Sequence, residues 1–311
     1  MSKGRFLSAC ERGLRRALAS TYRLLIMIVP VSLVVNVLDW VGLLRIIGHW
    51  LAPVLSLVGL PGEAAVSLIS GALVNVYAGI AALGPLHLTL RQINILAVMI
   101  LVAHSLPLEG AVQQKSGVSG WRMVLLRLGA SFGLGFILAH LPGAAGPIVT
   151  GTASAATAIT WTGHLLGWGM DTLRLALKMF IIITTLFLAT ELLREYGWLE
   201  RLAKPLRPLM VVLGLPVSAA FAWVTAVVVG LLYGSALIIQ EAEQGQIDRD
   251  GLVRLNASIA VAHSLLEDTG LFMAVGASLL WLLFPRLLAA AIIARVASYL
   301  ARPRARVQAQ A

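Results

Sequence analysis

The sequence predicts an all-α integral membrane fold built from two inverted-topology repeats. Each repeat is expected to supply about three spanning helices, an interfacial helix and a re-entrant or broken helix, about six to eight spans in total. Three observations predict this. Of 311 residues, 59% are hydrophobic and only 12% charged, about half the charge of a soluble domain. One residue pattern occurs twice, in the same order, along the chain. Equivalent loops of the two copies carry opposite densities of lysine and arginine.

The apolar residues come in long runs. Residues 24–44 hold one acid, Asp39, and residues 179–189 hold no charge. About 20 such residues span a bilayer as a helix, which lipid enforces because it cannot satisfy bare backbone groups. Strand-type alternation is absent. The formal charge of +10 does not point to nucleic acid, because the basic residues lie at the chain ends and helix flanks. Lys3, Arg5, Arg12, Arg15, Arg16 and Arg23 precede the first span, and Arg302, Arg304 and Arg306 follow the last. The positive-inside rule then puts both termini in the cytoplasm, with the chain in a bacterial inner membrane. Residues 2–19 are expected to form an interfacial amphipathic helix. The first apolar run reads as a retained signal anchor rather than a cleaved leader. Cys10 is the single cysteine, so neither a disulfide framework nor a thiolate metal site fits one chain.

The repeat orders the rest. Leu51 and Pro53, followed by Gly59-Leu60-Pro61, return as Leu206 and Pro208 followed by Gly214-Leu215-Pro216, an offset of 155. Arg23 and Lys178, Gly42 and Gly197, and Gly79 and Gly234 share that offset. Residues 102–106 read VAHSL and return as 261–265, now at offset 159. The extra residues fall in the polar stretch 240–254. Each copy reads as a first helix (24–45; 179–193), a short amphipathic piece (46–58; 199–213), a GLP turn and a second span (64–83; 219–239). The VAHSL segment (93–116; 252–278) and a last span (121–140; 279–300) complete it. The domains are a basic cytoplasmic segment 1–23, repeat one 24–140, a Gly/Ala/Ser/Thr-rich linker 141–170, repeat two 171–300 and a basic cytoplasmic tail 301–311. Whether the linker holds a further membrane helix is left open by the sequence.

The first helix of copy two exits into Arg194, Arg201, Lys204 and Arg207, whereas the matching exit in copy one has Arg45 and His49. Opposite bias at equivalent loops is what inverted copies produce. Inversion needs an odd number of crossings per copy. A VAHSL segment that enters and leaves on one side supplies it, with arms of about 16 Å reaching the midplane. A fully spanning segment is the alternative.

Ionisable groups at membrane depth are costly and mark function. His104 and Glu109 in copy one face His263, Glu267 and Asp268 in copy two, and Ser105 and Ser264 follow the histidines. Inverted copies would bring these groups together at the midplane. Such a cluster could bind a divalent metal ion through His104, Glu109, His263, Glu267 and Asp268, or relay protons. Capping of broken helices is the competing reading. Asn36 and Glu191 correspond at offset 155, Asp39 follows Asn36 by one turn, and Asn75 stands where copy two has Gly230. Asn36, Glu191 and Asn75 are further candidates for contact with the solute. His49, His87, His140 and His164 fall at segment ends, where interfacial histidines need no special role. Trp40, Trp50, Trp121 and Trp198 fit interfacial anchoring. No Walker, GxSxG or HExxH motif occurs, so enzymatic activity is not expected.

The doubled unit resembles the nucleoside-recognition or Gate domain family, with GLP before a span and Ala262-His263-Ser264-Leu265-Leu266-Glu267-Asp268 after it. That family includes the spore maturation membrane proteins A and B. It also includes the membrane gates of ferrous-iron transporter B and of concentrative nucleoside transporters. Copy one departs from the motif at Pro107, Leu108, Glu109 and Gly110. The resemblance implies a pore- or gate-forming helical fold in the inner membrane and fixes no solute. Ferrous iron is associated there with a pore cysteine and a GTPase domain, which this sequence lacks. The expectation is a transporter or channel for a small polar or charged solute, leaning to a divalent cation. The alternatives are a nucleoside-type permease and a non-transporting membrane scaffold or subunit of a partner complex. Expected partners are the lipid bilayer, a small solute or ion and a second copy in a homodimer, with no nucleic acid.

Overall fold

A computed structural model describes residues 3–143, 145–149, 160–245 and 247–308. Among them are fifteen helices and no strand beyond an isolated bridge between Thr89 and Ile148. In the first half these are α1 (Lys3–Trp40), α2 (Leu43–Ser56), α3 (Ala64–Leu73), α4 (Val76–Ala81), α5 (Leu90–Ala103), α6 (Leu106–Lys115) and α7 (Gly120–His140). In the second half they are α8 (Trp161–Glu195), α9 (Trp198–Ala203), α10 (Arg207–Leu213), α11 (Ala220–Val229), α12 (Leu231–Glu243), α13 (Arg249–Ala262), α14 (Glu267–Ala274) and α15 (Leu279–Gln308).

Local chemistry sets the boundaries. Thr89 opens α5 with a reciprocal capping box to Gln92, Asp248 opens α13 by accepting from Gly251 N–H, and Ser119 and Thr160 cap α7 and α8. Gly59 and Gly214 both take left-handed φ, 69° and 73°, which lets the chain leave the amphipathic piece and turn into the GLP sequence. Helix α5 is apolar on every side and is buried from Ile93 to Ala103, as such a helix must be.

Four helices are long and apolar enough to cross a membrane: Leu90–Lys115 taken through its break, Gly120–His140, Trp161–Glu195 and Leu279–Ala297. Ile28–Trp40 with Leu43–Ser56 makes a fifth if that pair, bent by 92°, is one span. This is fewer than the sequence suggests, and the reason is local. The stretches read as second spans are hairpins. Ser67 Oγ donates to Gly79 O at 2.6 Å, although twelve residues of straight helix would separate them by about 18 Å. A Cβ on Gly79 would lie 3.2 Å from Gly71 Cα, and one on Gly234 would lie 2.3 Å from Ala226 Cβ. Small residues thus let α3 fold back on α4, and α11 on α12, at close range. Conversely, the VAHSL segment of copy one, drawn above as a re-entrant hairpin, is a broken helix that runs on as one span.

Two further boundaries differ. The N-terminal segment forms no separate interfacial helix; α1 runs unbroken from Lys3 into the apolar stretch. Helix α8 begins at Trp161, inside the expected linker, while linker residues 150–159 lie outside the described residues. Helices α1 and α8 pack antiparallel: Arg5 and Arg12 meet Glu195 near one end, and Trp40 meets Trp161 at the other. Beside this pair the GLP turn approaches α2 very closely. A Cβ on Gly62 would fall 1.8 Å from Gly48 O. Gly62→Ala is therefore expected to cost about 1–3 kcal/mol or more, read as a lower thermal midpoint in detergent; an unchanged midpoint contradicts the packing described.

Candidate functional site

Helix α5 ends at His104 and α6 starts at Leu106; α13 ends at His263 and α14 starts at Glu267. Between them Ser105 and Ser264 take left-handed φ of 48° and 47°, the two non-glycine residues among those described that do so. Each conformation costs about 1–2 kcal/mol, and each break frees backbone groups that burial would otherwise leave bare. Both breaks are satisfied in the same way. The hairpin supplies acceptors: Ser105 N–H donates to Gly71 O at 3.0 Å, Ser264 N–H to Ala226 O at 3.1 Å and Leu265 N–H to Val227 O at 2.7 Å. Ser105 Oγ donates to Val74 O at 3.4 Å. The last helix supplies donors. Arg127 of α7 donates to Val102 O and His104 O, both at 2.7 Å; Arg286 of α15 donates to Val261 O at 3.2 Å and His263 O at 2.6 Å. Both guanidiniums are fully buried.

These devices hold two imidazoles face to face. His104 Nε2 and His263 Nε2 lie 3.3 Å apart, with ring centroids at 5.0 Å. Glu109 reaches both, Oε1 at 3.2 Å from His104 Nε2 and Oε2 at 3.2 Å from His263 Nε2. Asp268 Oδ2 stands 3.6 Å from His104 Nε2. The break and Pro107, in the first turn of α6, turn Glu109 toward the histidine, which an unbroken helix would not. Glu109 Oε2 is also 2.5 Å from Arg127 Nη1. That contact is an ion pair rather than an aligned hydrogen bond, since neither atom gains a hydrogen-bond partner.

The ring tautomers follow from the other nitrogens. His263 Nδ1 is 2.8 Å from Ile259 O, and His104 Nδ1 is 3.1 Å from Leu101 O and 3.3 Å from Ile100 O. A carbonyl only accepts, so each Nδ1 carries a proton, and in the neutral ring Nε2 presents a bare lone pair. In that form two lone pairs and two carboxylates face one another, with Arg127 as the cation paired to Glu109.

The cluster thus unites His104, His263, Glu109 and Asp268, with Ser105 and Ser264 as the residues of the breaks. His104, His263 and Asp268 can each offer a ligand atom within 4.8 Å of the others. The remaining candidates lie elsewhere. Glu267 is half-buried and turned aside, accepting from Tyr77 Oη–H at 2.9 Å, so it leaves the expected metal set. Asn75 sits at the hairpin tip and caps α4 by accepting from Ala78 N–H. Gly230 replaces it at φ 119°, where a Cβ would meet Ser264 Oγ at 3.0 Å. Glu191 is buried among Arg12, Arg16 and Arg194. Asn36 is buried near the opposite end of the α1–α8 pair, with Oδ1 unpartnered. Neither joins the histidines. Next to Glu191, Arg5 and Arg12 pair with the Glu195 carboxylate.

The sequence reading passed over Arg127 and Arg286. A signal for them was present: each stands 23 residues after its histidine, in the middle of an apolar span.

Comparison with known proteins agrees with this architecture. The family model described as Gate, nucleoside recognition, matches residues 21–114. YvoD of Bacillus subtilis (strain 168), described as an uncharacterized membrane protein, is 29% identical over 289 residues, covering 90% of this chain and 91% of that protein. No solved structure matches the chain. Residues 21–114 are thus similar to a Gate domain, and the matched stretch takes in His104 and Glu109.

Proposed function

We propose that the protein is a membrane transporter or channel for a small cation, with a divalent metal ion as its preferred cargo. In this reading the ion is held between the two halves by His104, His263 and Asp268. One observation carries it: ligand atoms of His104, His263 and Asp268 lie within 4.8 Å of one another, with the two Nε2 atoms 3.3 Å apart and Asp268 Oδ2 3.6 Å from His104 Nε2. A tetrahedron of nitrogen and oxygen ligands at about 2.0–2.1 Å from a metal has edges of about 3.3–3.4 Å. The Nδ1–H to carbonyl bonds are also the support that metal-ligating histidines use. Charge supports passage rather than storage. Glu109, Asp268 and Glu267 oppose Arg127 and Arg286, so a divalent ion meets only a small excess of negative charge at a depth where unpaired charge is costly.

The antiparallel α1 and α8, and the matching breaks, support two inverted halves that rock about the histidine pair to give alternating access. The test is thermal stabilisation of purified protein by manganese(II), zinc(II), cobalt(II) and a panel of nucleosides, in wild type and in His104→Gln/His263→Gln. Stabilisation by a metal in the wild type alone is expected. Stabilisation by nucleosides alone would favour a permease for them. No ligand effect in either protein would favour a scaffold and reject cation transport.

A further inference from the structure

Two sets of hydrogen bonds join the halves on opposite sides of the histidine pair. On one side Ser278 N–H donates to Asn94 Oδ1 at 2.7 Å, and Asn94 Nδ2 lies 3.5 Å from Ser278 Oγ. On the other, Ser116 Oγ donates to Asn256 Oδ1 at 2.7 Å and Gln113 Nε2 to Asn256 O at 3.1 Å. We propose that these bonds are the latches of two gates, each closing one of two opposite entrances to His104 and His263. This rests on the transport reading above and names the residues that part in it.

The order along the chain fixes their placement. Asn94 precedes His104 and meets Ser278, which follows His263. Gln113 and Ser116 follow His104 and meet Asn256, which precedes His263. The broken helices α5–α6 and α13–α14 therefore lie antiparallel, and the imidazoles meet between the latches. At 1.5 Å per residue Asn94 is about 15 Å from His104 along α5, and Asn256 is about 10 Å from His263 along α13. Together these reach about 25 Å, close to the roughly 30 Å of a hydrocarbon core, so one latch falls toward each face of the bilayer.

The bonds are of a kind that can release. Asn94 is the one polar residue of α5 between Ile93 and Ala103, and it spends its side chain on the other half. Ser116 Oγ has a second acceptor in its own half, Gln113 O at 2.9 Å, to which the hydroxyl turns when the seam parts. Asn256 Nδ2 stays with Leu252 O at 3.0 Å, also in its own half. The acceptors left over are then hydrated by entering water, which an apolar seam would repel. The two sides are not equally sealed. A cavity of about 120 Å³, with Arg91, Asn94, Ser278 and Trp281 among its lining, borders the first latch, whereas Gln113, Ser116 and Asn256 are buried. Rocking about the histidine pair parts one latch while it presses the other shut.

Diethyl pyrocarbonate, which acylates a neutral imidazole at its ring-nitrogen lone pair, tests this. A Cys10→Ser background removes the single cysteine of the chain. Each latch is then replaced by a thiol pair, Asn94→Cys/Ser278→Cys on one side and Ser116→Cys/Asn256→Cys on the other, singly and together. The pairs are joined by oxidation, or by a short bis-methanethiosulfonate where the sulfurs lie beyond disulfide reach. Acylation of His104 and His263 in detergent is read by peptide mass spectrometry. Each singly joined protein should react at close to the rate of its reduced form. The doubly joined protein should react about tenfold or more slowly, since reaction then needs an opening that both crosslinks oppose, and dithiothreitol should restore the rate. Equal reaction of the doubly and singly joined proteins, or full protection by one crosslink alone, overturns the two gates. Should the four-cysteine protein not fold, Asn94→Ala and Asn256→Ala decide instead. Each should speed acylation about fivefold, the equivalent of one lost hydrogen bond, and no change in either overturns the proposal. The reagent is not a metal, so the gates and the metal site can fail separately.

Discussion

Arg127→Met is expected to lower protein stability by about 3–5 kcal/mol. The side chain is fully buried and donates to Val102 O and His104 O, which the end of α5 leaves without helical partners. It also faces the Glu109 carboxylate at 2.5 Å. Methionine keeps much of the volume but strands two carbonyls and a buried charge at once, the costly way to break such a pair. Adding Glu109→Gln should restore part of the loss by removing the orphaned charge. Arg286→Met should cost less, because Arg286 has the two carbonyl bonds but no acid within ion-pair distance among the described residues. Thermal unfolding in detergent ranks the variants. An Arg127→Met midpoint equal to the wild type would remove the basis for the break geometry described here.

The second large effect concerns cargo. In proteoliposomes, His263→Gln should reduce metal uptake about a hundredfold, and His104→Gln likewise, because each removes one lone pair from a set of few. Glutamine is polar and of similar reach, so the break can survive. Glu267→Gln is the informative contrast. That carboxylate is turned to Tyr77, and its replacement should change uptake far less than either histidine change. If Glu267→Gln disables uptake while a histidine variant transports normally, the ion does not pass where the imidazoles meet.

Much of this arrangement was legible in the sequence, for identifiable reasons. A repeated VAHSL is visible because a histidine and a serine stand out in an apolar run, and the two histidines it marks lie together. In copy one the roles of hairpin and span are exchanged, because both stretches are apolar and of similar length. What separates them is whether glycines at 71 and 79 let two arms pack, a tertiary property. Arg127 and Arg286 escaped notice because basic residues in such chains are read as headgroup anchors, and only their fixed distance from the histidines says otherwise. Asn36 and Glu191 are equivalent by offset yet lie toward opposite ends of the α1–α8 pair, so shared spacing did not make a shared site.

The partners that quiet each kink are all drawn from its own half. Gly71, Val74 and Arg127 serve the first, and Ala226, Val227 and Arg286 the second. Each half therefore seals its own defect, and the rocking proposed above would uncover no backbone there. Two acids cross the seam at its centre: Glu109, paired with Arg127 of its own half, reaches His263, and Asp268 reaches His104, so any relative movement of the halves would have to loosen both carboxylates.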